Sequence, residues 1–382
     1  MEMLSREELA RLVARVFTPG PEDRGLAILV DLPDERVPDH PAWSDRRAMA
    51  RDWAVGLEAV REDLGLERVT LAWYRNAGGN NADLPPTCVP DAGGEPPRSA
   101  ADLVGRAVLP LGDLLDTHSL ILAPTELSAT APLKVAARAH PFRAATMPGF
   151  LPAMIPALRV DYGEVNRRVN LLKDLCDAAG SARVQFRAGG AEHLLELDLR
   201  HRQAHASGGL FPRNGVAGNL PSGEAYIVPY EGERPGDPSR SAGTLPVQID
   251  GELVIYEIRE NRAVRVLTRG HVSDQEARRI AAEPAYANLS ELGLGVLGDF
   301  GLEPTGSILL DEKLGLHIAF GRSDHFGGSV GPSAFSGPDA VVHLDRVYIP
   351  QVQPDVEVRE VVLRLADGER RLMEDGRYVG VF

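Results

Sequence analysis

The sequence lacks several features that mark common protein classes. Its 382 residues include two cysteines, Cys88 and Cys176, far apart and outside any Cys-x-x-Cys spacing. That usage suits a cytoplasmic protein with two unpaired thiols. No apolar run reaches the roughly 18 residues needed to span a bilayer. The N-terminal MEMLSREELARLV mixes acids and bases and has no uninterrupted apolar stretch of the signal-peptide kind. No Gly-x-Gly-x-x-Gly follows a strand at the start of a helix, so a dinucleotide fingerprint is absent. Cations are outnumbered: 41 Lys and Arg stand against 55 Asp and Glu, a net charge of −14. Such a chain repels phosphate backbones and anionic headgroups, which argues against nucleic-acid or membrane partners.

The composition that remains, 43% hydrophobic and 25% charged, is that of a globular protein, and the length predicts two domains. Residues 5–17 and 43–64 carry apolar side chains at helical spacing, with Ser5 and Ser44 placed as N-caps. Short apolar runs at 25–33, 68–74 and 119–124 are bounded by Gly, Pro or Asp and read as buried parallel strands. A helix over about 130–140, the segment 142–149 and a helix over 161–178 continue the alternation, which predicts an open, mainly parallel α/β sheet. Asn76–Ser99, rich in Gly, Asn and Pro, reads as a long loop. After Gly180 short alternating segments dominate, separated by turns such as IDGE, ADGE and EDGR, with one helix at 274–285 capped by Ser273. The expectation is an N-terminal α/β domain over 1–180 and a β-rich α+β domain over 181–382 that carries the chemistry.

The polar signals lie in that second part. Glu224 follows a Pro-Ser-Gly turn in NLPSGEAYIVP, at the mouth of a strand. Glu291 sits in LSELGLG, among Leu and Gly, where a carboxylate must lose its charge or find a cation. In DEKLGLHIAFG, Glu312 precedes His317 by five residues. His325 lies in a Gly-bounded loop, and VVHLDRVYIP puts His343 and Asp345 at i and i+2, on one face of a strand. Three carboxylates and two histidines are a mixed N/O donor set suited to Zn, Co, Mn or Fe. Two chemistries follow. Five ligands with a bridging Glu hold two metals that share a hydroxide. His317, His343 and Asp345 alone form the two-His-one-carboxylate set of non-haem Fe(II) oxygenases. His193, His201 and His205 read as surface residues, because LDLRHRQAHASGG looks like a strand running into a loop.

The four motifs, in this order and spacing, resemble the thermophilic metallo-aminopeptidases of the aminopeptidase T, AmpS and PepS type, and MPGFLPAMIPALRVDYGEVNRR (147–168) shares the likeness. The resemblance implies a homodimer with a dinuclear Zn or Co site, held by Glu224, Glu291 as the bridge, His317, His343 and Asp345. It implies short peptides as substrates and Glu312 as general base or as a support behind the metal ligands. His325 is placed for substrate contact, although these aminopeptidases have a Tyr shortly after the His317 equivalent where this chain has Asp324-His325-Phe326. A second set is similar too: ring-cleaving enzymes like 2,5-dihydroxypyridine 5,6-dioxygenase, with one Fe(II) on two His and one Asp. Retention of both Glu224 and Glu291 favours two metals, since a single iron on the smaller set does not use them. With all five positions intact, a non-catalytic binding protein is disfavoured.

Overall fold

The computed structural model describes residues 3–382. The chain forms two compact units. One comprises the chain up to Asn166 with Gly208–Ser222 and Thr305–Leu310; the other comprises Arg167–Ser207, Gly223–Pro304 and Asp311–Phe382. Each is assembled from three stretches, a finer division than a single cut near residue 180 expresses.

The first unit is built on a seven-stranded sheet. Five strands run parallel in the spatial order Ala217–Asn219, Arg143–Thr146, Leu120–Ala123, Gly25–Leu32, Arg68–Arg75. All eight residues of Gly25–Leu32 are buried, which is why this strand reads as an unbroken apolar run. The stretch expected to be one long loop contributes Thr87–Pro90, which pairs antiparallel with Arg68–Arg75 at the sheet's margin and then with Leu109–Pro110. Four residues within so much Gly and Pro carry too little periodicity to read as a strand.

The helix Arg6–Phe17 starts as expected, with Ser5 and Glu8 closing a capping box. The next helix does not. It runs Pro41–Ala59, and the His40 ring, not Ser44, accepts from the Trp43 amide. Pro41 at the first helical position explains the earlier start, since its fixed φ and missing N–H suit that place.

Arg143 ties the first helix to the sheet. Its buried guanidinium donates to both Asp23 oxygens at 2.8 and 2.6 Å and to the Phe17 carbonyl at 2.9 Å. Burial alone would raise the Asp23 carboxyl, but the Arg143 hydrogen bonds outweigh it and hold the carboxyl below its ordinary value.

The second unit holds two sheets. The larger has eight antiparallel strands, in the order Arg262–Val266, Glu252–Arg259, Ala242–Ile249, Ala191–Asp198, Ala179–Ala188, Val356–Leu365, Gly368–Glu374, Arg377–Tyr378. The smaller has five, in the order His343–Val347, Leu316–Gly321, Leu289–Gly295, Glu224–Ile227, His205–Ser207, also antiparallel. Aromatic contacts join the two sheets: Tyr256 lies 5.1 Å from Phe320 and Phe186 lies 4.8 Å from Tyr348, ring centre to ring centre. The helix His271–Ala282 begins after Gly270, and Ser273 is not its cap. The Ser273 hydroxyl and amide both donate to Glu252 instead, at 2.6 and 2.8 Å. No helix among the described residues is long and apolar enough to cross a membrane.

Replacing Arg143 by Met strands a buried carboxylate, and we expect a loss of about 3–5 kcal/mol in urea unfolding at neutral pH. The folded Asp23 value is depressed, so the pair's contribution is present above the unfolded aspartate value of about 3.9 and is lost as the pH falls through the folded one. Wild type and R143M should therefore converge in stability at acid pH.

Candidate metal centre

The site is a bowl on one face of the five-stranded sheet. Side chains alternate along a strand, and directly paired residues share a face, so the register decides what converges. Glu291 pairs with Ala319, which pairs with Asp345 on its other side. Gly293 pairs with His317, Gly321 with His343, and Gly295 with Glu224. Each of the five candidate ligands therefore has a Gly or Ala across a strand boundary. Gly293 leaves the room that the His317 ring fills, while at Gly295 and Gly321 a Cβ would meet the backbone of Lys313 and Val342. A Cβ at Gly293 would lie 1.9 Å from His317 Nε2. A bulge between Leu289 and Glu291 turns the strand locally, and Ser290 Oγ comes to 3.3 Å from His343 Nδ1.

Glu291 stands at the centre and is 4% exposed. Its Oε1 lies 3.2 Å from His317 Nε2 and its Oε2 3.2 Å from His343 Nε2. His317 Nε2 is also 3.7 Å from Glu224 Oε2, and His343 Nε2 is 3.3 Å from Asp345 Oδ1. Two triads result, Glu224–Glu291–His317 and Glu291–His343–Asp345, each with its donor atoms within 4.8 Å of one another. They share only Glu291. His343 Nδ1 lies 2.8 Å from the Arg322 carbonyl, the partner that fixes a ring with its free electron pair on Nε2. Among the described residues the buried Glu224 Oε2 has no hydrogen-bond partner. Open lone pairs of this kind, converging from three carboxylates and two imidazoles with Lys313 against Glu224 only, fit a metal ion.

Burial raises the cost of every charge here, and the neighbours answer it. For Glu291, burial pushes the carboxyl up, but hydrogen bonds from His317 and His343 outweigh it and hold the group far below its ordinary value. Burial disfavours a charged His317, yet Glu291, Glu224 and Asp345 push its value up to about 10. His343 is raised as well, by Asp345 and Glu291 against its burial. These shifts describe a site that demands positive charge.

The expected catalytic residues lie at the margins. Glu312 is pushed up to about 8, by burial first and by Glu224 and Asp345 in addition, against the pull of Lys313. Lys313, fully buried, touches Glu312 with its ammonium and reaches to 3.5 Å from Glu224 Oε1. His325 stands edge-on to His343, 5.2 Å between ring centres. Burial and the nearby His343 lower it to about 4, so it is neutral at pH 7.

Sequence reasoning missed Lys313, Tyr226 and His205. His205 is not a simple surface residue: it pairs with Tyr226 in register, and the rings stack 5.2 Å apart. Its Nε2 lies 3.2 Å from the Phe326 carbonyl. Only the strand pairing brings it here, and local sequence gives no sign of that. Lys313 left a faint signal, a lysine within an apolar approach to His317. His201, by contrast, pairs with Asp237 at 3.1 Å and keeps away from the bowl.

Fold and site together define a mixed α/β protein of two units with a carboxylate–imidazole cluster able to hold metal. Among solved structures it is similar to 2,5-dihydroxypyridine dioxygenase from Pseudomonas putida, at 15% identity and TM-score 0.59 over 99% of this chain and 98% of that one. It is similar also to AmpT, aminopeptidase T, from Thermus thermophilus, at 18% identity and TM-score 0.51 over 98% of each chain. Both resemblances drawn from the motifs are thus present in the fold, and at these identities the likeness is one of fold. No family model and no curated protein matches the sequence.

Gly293→Ala should displace the His317 ring. We expect a cost of about 1–3 kcal/mol in thermal unfolding from overpacking, together with loss of the visible absorption of added Co(II). Retention of that absorption at wild-type affinity would show that the ring needs no such clearance.

Proposed function

We propose that this protein is a metal-dependent aminopeptidase that removes N-terminal residues from short peptides at a centre of two divalent ions, Zn or Co. The observation that carries the reading is the sharing of Glu291 between two triads, one oxygen toward each. Glu224 and His317 would hold one ion, His343 and Asp345 the other, and Glu291 would bridge. Such ions supply a Lewis acid for the scissile carbonyl and acidify water near neutral pH.

The chain's own residues do the rest. The Arg322 carbonyl keeps His343 oriented, with Nε2 toward the bowl. Glu312, with its carboxyl raised to about 8, is suited to take a proton from water and give it to the leaving amine, because its affinity lies near the working pH. Lys313 holds that carboxylate in place and balances part of the negative charge. The rings of Phe326 and His325 stand against His343, with Tyr226 behind Phe326, and limit water on that side.

A second reading is supported by the higher TM-score to the dioxygenase, 0.59 against 0.51. It is a ring-cleaving reaction on one Fe(II) held by His317, His343 and Asp345. The division of those three residues between two triads weighs against it.

Removal of metal with a chelator should abolish release of nitroaniline from an aminoacyl-p-nitroanilide, and Zn or Co should restore it. A rate that neither falls nor returns sinks the peptidase reading. One iron per chain, with oxygen consumed in the presence of 2,5-dihydroxypyridine, would establish the second instead. Glu312→Gln should lower kcat by about 10²–10⁴-fold while metal content stays at the wild-type level.

A further inference from the structure

The loop between Leu316–Gly321 and His343–Val347 is anchored firmly beside the candidate centre. Its anchor is Glu231, whose side chain is 2% exposed. Glu231 accepts from the Ser329 hydroxyl at 2.7 Å and from the Asn288 amide at 2.7 Å, and Arg202 lies 3.3 Å away. Ser323 Oγ and the Ser329 amide donate to it as well. Within the loop, the Ser323 amide donates to the Val330 carbonyl at 2.9 Å and the Gly328 amide to the Ser323 carbonyl at 3.0 Å. A buried carboxylate with this many donors fixes what it holds. It holds the turn Asp324–Phe326.

That turn presents rings. Phe326 lies 4.7 Å from Tyr226 and 5.4 Å from His343, and His325 lies 3.9 Å from Phe326. His205 extends the row by stacking on Tyr226. The side chains of His205, Tyr226, Phe326 and His325 are half-buried, so the row keeps open ring surface. The ionised neighbours on the loop, Arg322 and Asp324, pair with each other at 2.6 Å. On the loop side the wall therefore offers aromatic edges and faces whose charged neighbours are paired with each other. A planar, uncharged ring gains most from such a surface, by edge-to-face or offset stacking.

We propose that His205, Tyr226, His325 and Phe326 form the substrate side-chain subsite, and that it selects an aromatic side chain. The inference rests on the reading of the adjoining carboxylate–imidazole cluster as the reaction centre. It adds a substrate class to that reading: peptides with Phe or Tyr at the N-terminus.

The test is calorimetric binding of L-phenylalanine hydroxamate and L-alanine hydroxamate to the metal-loaded full chain, beside kcat/KM on the matching anilides. Wild type should favour the phenyl ligand by about 10- to 100-fold, the range for burying one such ring. Phe326→Ala should bring the ratio close to one, and Phe326→Tyr should restore it. His205→Ala, at the far end of the wall, gives the same information if F326A does not fold. A wild-type ratio near one, a ratio unchanged in the alanine variants, or no hydroxamate binding overturns the inference. Preference for the phenyl hydroxamate without turnover of either anilide overturns the peptidase reading and leaves the subsite standing.

Discussion

The bowl depends on Glu291, a carboxylate almost wholly buried. Burying one ion costs several kcal/mol unless partners compensate, and here Glu224, Asp345 and Glu312 crowd in beside it. Lys313 supplies one fixed positive charge, and the imidazoles of His317 and His343 are drawn toward protonation. Such a cluster is not assembled for stability, since apolar side chains of similar volume would fill the space at lower cost. The fold tolerates it because five antiparallel strands set the positions and because Gly293 clears the space for the His317 ring.

Much of this was legible in the sequence, and for physical reasons. His343 and Asp345 are separated by one residue, and the period of a strand puts both on one face. Glu291 among Leu and Gly had no local cation, so it had to find partners elsewhere. The buried parallel strands of the first unit read plainly, because a strand covered on both faces is an unbroken apolar run. What the sequence withheld was register. Whether Glu291 meets one imidazole or two depends on which residues pair across three strands, and no local pattern states that. His205 is the clearest case: its polar neighbours suggest solvent, but its partner across the sheet is Tyr226.

The helix starts illustrate a competing rule. Ser44 and Ser273 both have the side chain of a cap, yet each lies inside a helix that begins earlier. At the first, Pro41 sets the start; at the second, Ser273 is engaged by Glu252. A capping residue reports a local preference, and a proline or a tertiary hydrogen bond overrides it.

The small residues opposite the ligands have a further consequence. The strands, and not the ligands, define the dimensions of the bowl, so a ligand can be exchanged without moving the backbone. Loss of Glu224 alone would dissolve one triad and leave Glu291–His343–Asp345 whole. Whether the sheet carries one triad or two is then decided at the tip of one side chain. An architecture of this kind changes its donor set in single steps, by point substitution and not by refolding.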